Sequence, residues 1–283
     1  MHAWTILWNT TSFPTHSPPK TMKYDLKNKT IIISGATGGI GSAIVRLLIN
    51  KYECKVFGIG RNRKKFDDLA LSLGEKSSLF TPIIMDVTSY DYSALSIIDK
   101  ADMLINNAGV LPPFSPTIDA EKEEVERVMD CNFFAQVSLT RRLLPVLKNS
   151  KCGAVAFISS SDALCPIAGT GAYGASKSAL KSYGETLAQE ECGLYVATIL
   201  PGFTKTELFT DIPMDRGFVA SLASTPEKTA KLIVKGLYKK KTRIITGLDA
   251  HLMNFLYKLM PVKGPRLISK ILKKSGLDAF KDI

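Results

Sequence analysis

The sequence predicts an α/β fold: a doubly wound, parallel seven-stranded sheet with helices on both faces. Three observations predict it. Short runs rich in β-branched residues recur along the chain, amphipathic helical stretches fill the intervals, and a glycine-rich turn joins the first run to the first helix. Strands buried on both faces read as continuous apolar runs, and these runs are continuous rather than alternating.

The elements follow in order. Thr30–Ser34 (TIIIS) is the first strand. After the glycine turn, Ile40–Ile49 is a helix with Ile40, Ile44, Leu47 and Leu48 at helical spacing. Lys55–Gly60 is the second strand. Asn62–Leu73 is a helix presenting Phe66, Leu69, Ala70 and Leu73. Leu79–Met85, Asp102–Asn106, Ala154–Ser159 and Leu194–Leu200 are the next strands, with long helices over Glu121–Leu147 and Ala172–Glu190 between them. Thr225 before Pro226 is an N-cap followed by proline at the first helical position, opening a helix to about Tyr238. Arg243–Thr246 is the last strand. Two short amphipathic helices close the chain. One spans His251–Met260 and lays Leu252, Phe255, Leu256 and Leu259 on one face; the other lies beyond Pro265 with Leu267, Ile268, Ile271 and Leu272. Strand–helix alternation calls for right-handed crossovers.

The chain has 283 residues and is 45% hydrophobic, which suits one large core spanning 22–248 with a basic helical extension over 249–283. Residues 1–21, rich in Thr, Ser and Pro, read as a disordered, dispensable leader or a misplaced start, because Met22 directly precedes Lys-Tyr-Asp-Leu. The apolar stretch Ala3–Trp8 is too short for a signal-peptide core. Five cysteines without a C-x-x-C pair argue against a disulfide framework or zinc knuckle and for an intracellular, cytoplasmic protein; no metal site is expected. No apolar run is long enough to span a bilayer.

The formal net charge of +11 is concentrated at the C-terminus, where residues 226–283 hold 14 Lys/Arg against 4 Asp/Glu. Besides a plain solvated helix face, three roles stay open for this segment: a lid over a pocket, a subunit interface, or weak association with an anionic membrane surface, the last disfavoured against the first two because aromatic-belt residues are few (Phe255, Tyr257). A nucleic-acid partner is not expected, because no aromatic platform interleaves the basic residues.

The chemistry-bearing residues fall in a fixed order. Gly35, Gly39 and Gly41 (SGATGGIG, with Thr37 and Ile40) occupy the strand-to-helix turn, where glycines let the backbone approach a pyrophosphate at a helix N-terminus. Asp86-Val87 ends the third strand, Asn106-Asn107-Ala108-Gly109 the fourth. Asn132 lies on the following helix, Ser160 after the fifth strand, and Tyr173-Gly174-Ala175-Ser176-Lys177 on the next helix. Pro201-Gly202, with Thr204 and Thr206, follows the sixth strand. Alone, a Tyr and a Lys four apart on a helix are ordinarily a half-buried aromatic and a solvated amine, and a lone glycine turn is common. As an ordered set, over about Lys27 to Gly247, these motifs resemble the short-chain dehydrogenase/reductase family. The Gly-x-x-x-Gly-x-Gly turn and Tyr-x-x-x-Lys pair are its marks.

The resemblance implies a Rossmann-like domain, a homodimer or homotetramer, and an oxidoreductase acting between a ketone and a secondary alcohol. It implies Tyr173 as the proton donor and acceptor, Ser160 (thirteen residues earlier) polarising the substrate oxygen, Lys177 on the nicotinamide ribose, and Asn132 holding a water that relays protons. It implies cofactor contacts from Gly35, Thr37, Gly39, Ile40, Gly41, Asp86, Val87, Asn107, Ala108, Gly109, Pro201, Gly202, Thr204 and Thr206. A lysine four residues from the tyrosine is expected to lower its pKa. The second strand ends Gly60-Arg61-Asn62-Arg63 without the acid that NAD-specific relatives place there, so Arg61, assisted by Arg63 and the Thr37 hydroxyl, points to NADP(H). One departure is that the glycine turn carries no basic residue. Apolar residues in Phe203–Ser224 (Leu208, Phe209, Ile212, Met214, Phe218, Val219, Leu222) point to a lipophilic carbonyl or alcohol substrate such as a steroid, bile acid, fatty or aromatic ketone, or else to packing on the core or a partner subunit. A non-catalytic NADP-binding sensor or scaffold is the alternative; such relatives typically lose the tyrosine or the lysine, and both are present.

Overall fold

Ile31, Ile32 and Ile33 are each completely buried, yet consecutive residues of a strand point to opposite faces. Ile31 and Ile33 join one apolar cluster and Ile32 another, so the strand has packed layers on both sides. This is a computed structural model, and it describes residues 23–190, 193–209, 221–274 and 280. The readings of residues 1–21, of Cys192 and of Ile212, Met214, Phe218 and Val219 lie outside the described residues.

The strands are β1 (Thr30–Ser34), β2 (Lys55–Gly60), β3 (Phe80–Ile84), β4 (Met103–Asn106), β5 (Ala154–Ile158), β6 (Tyr195–Pro201) and β7 (Arg243–Thr246). They form one wholly parallel seven-stranded sheet in the order β3-β2-β1-β4-β5-β6-β7. Strand order reverses between β1 and β4, which opens a crevice at their C-terminal ends, where open α/β sheets bind ligands. On one face Ile44, Val45 and Leu48 of α1 (Gly39–Tyr52), Phe66 and Leu69 of α2 (Arg63–Ser72) and Ile233, Val234 and Leu237 of α6 (Pro226–Tyr238) pack with Ile31 and Ile33. On the other, Leu139, Leu143 and Leu147 of α4 (Ala135–Lys148) and Leu180 of α5 (Gly171–Leu187) pack with Ile32, Leu104 and Val155.

Helix starts follow their caps. The Asn62 side chain accepts from the Lys65 N–H (3.0 Å), and the Thr225 hydroxyl accepts from the Lys228 N–H with Pro226 at the first position. The expected helix over Glu121–Leu147 is α3 (Lys122–Met129) running into α4 through a π-helical turn at Asp130–Phe134. Such turns insert one residue into a helix and cluster at functional sites; this one holds Asn132.

The C-terminal extension departs from expectation. Helix α7 begins at Leu248 and runs to Leu259, and α8 is Lys263–Lys274, so Pro265 lies in its first turn rather than before it. The face of α7 that packs inward is Asp249, Ala250 and Met253, with Leu256 partly buried, whereas Leu252, Phe255 and Leu259 face outward. Met253, Ile268 and Leu272 join Cys165, Ile167 and Phe203 in a third apolar cluster. Among the described residues no helix is long and apolar enough to cross a membrane, and Cys54, Cys131, Cys152 and Cys165 are free thiols.

Asp102, just before β4, ties the sheet's N-terminal edge together. Its carboxylate accepts from the Thr30 N–H (2.9 Å) and from the Ser150 hydroxyl (2.6 Å). Burial pushes its pKa up, but these hydrogen bonds prevail and hold it below the ordinary carboxylate value. Asp102→Asn is therefore expected to lower the unfolding free energy by about 1–3 kcal/mol near neutral pH. Because the folded pKa is depressed, Asp102's contribution is complete above the unfolded value and disappears as pH falls through the folded one. Urea unfolding of both proteins should show the gap narrowing in acid; a gap that is constant with pH would mean the charge is not what Asp102 contributes.

Candidate active site

The crevice at the β1–β4 reversal opens into a cavity of about 420 Å3, within the range for small-ligand sites. Of the positions expected to be catalytic or to contact the cofactor, all but Thr37, Gly41, Arg63, Asp86, Val87 and Asn132 line it.

One half of the cavity is a backbone cradle. Gly35 has a φ of +64°, and a Cβ there would sit 2.8 Å from the Ala108 Cα. A Cβ on Gly41 would lie 2.2 Å from the Gly35 carbonyl oxygen, and one on Gly39 would lie 2.5 Å from the Thr206 methyl. The glycines are therefore needed because three chain segments close on one another here. Side chains bind the segments: the Ser34 hydroxyl accepts from the N–H groups of Asn107 (3.0 Å) and Ala108 (3.1 Å), and the Asn107 amide donates to the Ser34 and Gly35 carbonyls. The cradle, at the N-terminus of α1 and free of side chains, fits a dinucleotide pyrophosphate.

At its outer end, Arg61 follows β2 with its side chain mostly exposed and pairs with Asp86 at 3.3 Å. Asp86 also accepts from the Thr88 N–H and hydroxyl. Burial pushes Asp86 up, and the Thr88 and Arg61 hydrogen bonds more than offset it, so its pKa falls below the ordinary value. Val87 is buried in the core beneath. The Thr37 hydroxyl lies beside Gly60, within 3.5 Å of where a Cβ would stand.

The other half gathers Ser160, Tyr173 and Lys177. Ser160 leaves β5 in extended backbone, and its hydroxyl accepts from the Asp162 N–H (3.1 Å). Tyr173 and Lys177 sit one turn apart on α5, with the Lys177 Nζ 5.8 Å from the tyrosine ring centroid. Both are buried. The expectation that Lys177 lowers the Tyr173 pKa is not met: burial pushes the phenol up, the Ser160 hydroxyl counters in part, and Asp162 adds to the rise. Burial also pushes Lys177 down, to about 8, with its amine donating to the Ile158 carbonyl at 3.1 Å. Desolvation is thus the largest influence on both groups.

Asn132 is fully buried, and its amide is already bonded. Its oxygen accepts from the Val110 N–H (2.8 Å), and its nitrogen donates to the Val110 carbonyl and the Ser176 hydroxyl (both 2.9 Å). Its side chain thus braces the loop after β4 against α5. A Cβ on Gly109 would lie 3.0 Å from the Asn132 oxygen and 3.1 Å from the Lys177 amine, so Gly109 separates the two. Thr204 is similarly committed, with its hydroxyl donating to the Gly202 carbonyl (3.1 Å) and 3.1 Å from that of Thr229.

Two buried acids escaped the sequence reading. Asp162 accepts from the Ile167 N–H (3.0 Å) and the Thr170 hydroxyl (2.7 Å), and burial pushes it up to about 7 against those bonds. Asp249, in the first turn of α7, accepts from the Phe203 N–H at 2.6 Å; a Cβ on Gly202 would lie 2.2 Å from its carboxylate. This contact explains the glycine of Pro201-Gly202. It was invisible in the sequence because it joins residues 46 positions apart. Apolar walls come from Leu111, Phe114, Ile167, Phe203 and Phe209.

A nucleotide cradle at the switch point of a parallel sheet, facing Ser160 and the buried Tyr173 and Lys177, defines a dinucleotide-dependent oxidoreductase of the Rossmann type. The sequence profile described as short chain dehydrogenase matches residues 29–217. The chain belongs to the short-chain dehydrogenase/reductase family. It is 32% identical over 200 residues to benzil reductase ((S)-benzoin forming) of Saccharomyces cerevisiae, covering 65% of this chain and 74% of that one. It is 28% identical over 266 residues to a fatty acyl-CoA reductase of Acinetobacter baylyi, covering 90% and 86%. Among solved structures, a short-chain dehydrogenase of Shigella flexneri complexed with NADP aligns with a TM-score of 0.68 and 27% identity, over 81% of this chain and all of that one.

Proposed function

We propose that this oxidoreductase uses NADP(H) to interconvert a ketone and a secondary alcohol on a lipophilic substrate, with Tyr173 as general acid and base. The observation that carries the reading is the convergence of Ser160, Tyr173 and Lys177 on one cavity with the glycine cradle. When bound, the nicotinamide supplies or takes up the hydride. Tyr173 keeps its proton at neutral pH, because burial raises its pKa, and so has a proton to deliver to a carbonyl oxygen. The Ser160 hydroxyl donates to the same oxygen and stabilises its growing negative charge. Lys177 offsets the charge left on the phenolate. Asn132 holds Ser176 of α5 and the loop after β4 in place, and a water relays protons past it.

Arg61, with Thr37 nearby, supports the choice of NADP over NAD, and the NADP-bound Shigella structure is consistent with it. The apolar walls support a lipophilic substrate. Benzil and the acyl chain of fatty acyl-CoA, from the names of the two relatives, are both bulky and apolar. A homodimer or homotetramer is carried over from the family resemblance.

The test is absorbance at 340 nm (roughly the reduced-nicotinamide band) with NADPH or NADH and a panel of lipophilic ketones. Turnover that favours NADPH is expected; no turnover with any ketone, despite tight NADPH binding, would overturn the assignment in favour of a sensor. The pH profile adds a sharper expectation. As pH rises, Asp162 gains a negative charge near about 7 and Lys177 loses its positive charge near about 8. Both changes disfavour the phenolate that proton delivery leaves behind. The kcat/KM for reduction should therefore decline across this range, and Asp162→Asn should remove the earlier of two steps. A profile unchanged by Asp162→Asn would show that Asp162 does not act on Tyr173.

A further inference from the structure

Helix α7 carries an apolar stripe that nothing in the described chain covers. Leu248, Leu252, Phe255 and Leu259 follow a 4-3-4 spacing, which puts them on one face. Their exposures are 81%, 49%, 58% and 63%, and Val262 just beyond the helix is 65% exposed. Isolated exposed leucines are ordinary, but a contiguous row of this kind marks an interaction surface. The row is not the core-facing side of a surface helix, since Ala250 and Met253 occupy that side.

The surrounding charge is of one sign. Lys258, Lys263, Arg266, Lys270, Lys273 and Lys274 are all exposed, and none forms an ion pair among the described residues. Between Leu248 and Lys274 the one acid is Asp249, which is buried inward on the Phe203 N–H. A Cβ on Gly264 would lie 2.8 Å from the Leu256 carbonyl oxygen, so the two helices are closely apposed.

We infer that α7 and α8 form a docking surface for an anionic lipid bilayer, with the α7 stripe entering the headgroup–acyl boundary and the lysines and arginine on anionic headgroups. An apolar face flanked by cations is what interfacial binding requires. A second copy is a poorer occupant, because a two-fold contact would set these cations against their own equivalents with no exposed acid on the described α7 and α8 to pair them. The inner side of the same helix reaches the cavity: Met253 and Leu256 pack with Ile167 and Phe203, which line it. Docking would thus hold the cavity beside the bilayer from which a lipophilic substrate partitions. That consequence rests on the substrate proposed above; the docking does not.

Flotation of the full chain with phosphatidylcholine vesicles, with and without phosphatidylglycerol, tests the inference. Binding should be about tenfold or more stronger with phosphatidylglycerol and should weaken in high salt. The variant Leu252→Ser/Phe255→Ser/Leu259→Ser should lose about tenfold or more of it, while keeping its circular dichroism and NADPH binding. Lys270→Glu/Lys273→Glu should lose binding to anionic vesicles. Binding absent from both vesicle types, or undiminished in the triple serine variant, overturns the inference. So does a wild type that ignores vesicles but whose mass by light scattering falls in that variant, which would make the stripe a subunit contact.

Discussion

Tyr173→Phe is expected to lower kcat for ketone reduction by about 10²–10⁴-fold while leaving NADPH binding nearly unchanged. The substitution removes one oxygen and retains the ring, which is buried on α5 with the Lys177 amine 5.8 Å from its centroid. The Ser160 hydroxyl keeps the Asp162 N–H as a partner in the variant. The glycine cradle, Asn107 and Thr206 are untouched, so dissociation of the coenzyme, followed by its fluorescence, should move little. Loss in kcat with unchanged coenzyme affinity is the signature of a group that acts on the reacting atoms. Turnover persisting in Tyr173→Phe would remove the phenol from the mechanism and turn attention to Lys177. A parallel loss of NADPH affinity would instead assign Tyr173 to binding.

The sheet was legible in the sequence because its signal is local. Ile31–Ile33 and Ala154–Ile158 are continuous apolar runs, and burial on both faces is the physical reason. The candidate site was legible through its order, since Tyr173 and Lys177 are one helical turn apart wherever the helix lies. What could not be read depends on distant contacts. Asp249 gains its meaning from Phe203 and Gly202, Asp162 from the loop to Thr170, and the Arg61–Asp86 pair from two strand ends brought side by side. The orientation of α7 was also out of reach. Periodicity finds an apolar face but not which way it points, and here the largest side chains turn outward while Ala250 and Met253 meet the core. The Tyr173 pKa shows the same limit: spacing places an amine nearby, whereas burial, a property of the whole fold, decides the sign.

Arg61→Ala is expected to raise the KM for NADPH by about 10–100-fold and to change that for NADH little. The estimate is the loss of one charge-assisted hydrogen-bonding partner, about 1.5–3 kcal/mol, converted at 1.4 kcal/mol per tenfold. Arg61 lines the cavity at the end of β2 with its side chain mostly exposed, so removing it leaves no hole in the core. Its pairing with Asp86 uses one nitrogen at 3.3 Å, and a guanidinium has five donors, so a phosphate can be held without releasing Asp86. Asp86 keeps its bonds from Thr88 in the variant, which leaves that corner of the fold supported. Arg61→Asp goes further. It places an acid where ribose hydroxyls would meet it and repels a 2′-phosphate, so the ratio of kcat/KM values should invert in favour of NADH. High salt should weaken NADPH binding to the wild type more than to either variant, because screening acts on the pair that the variants lack. If NADPH and NADH are affected equally, Arg61 supports the cradle as a whole and the 2′-phosphate is read elsewhere, with Arg63 at the start of α2 the next residue to replace.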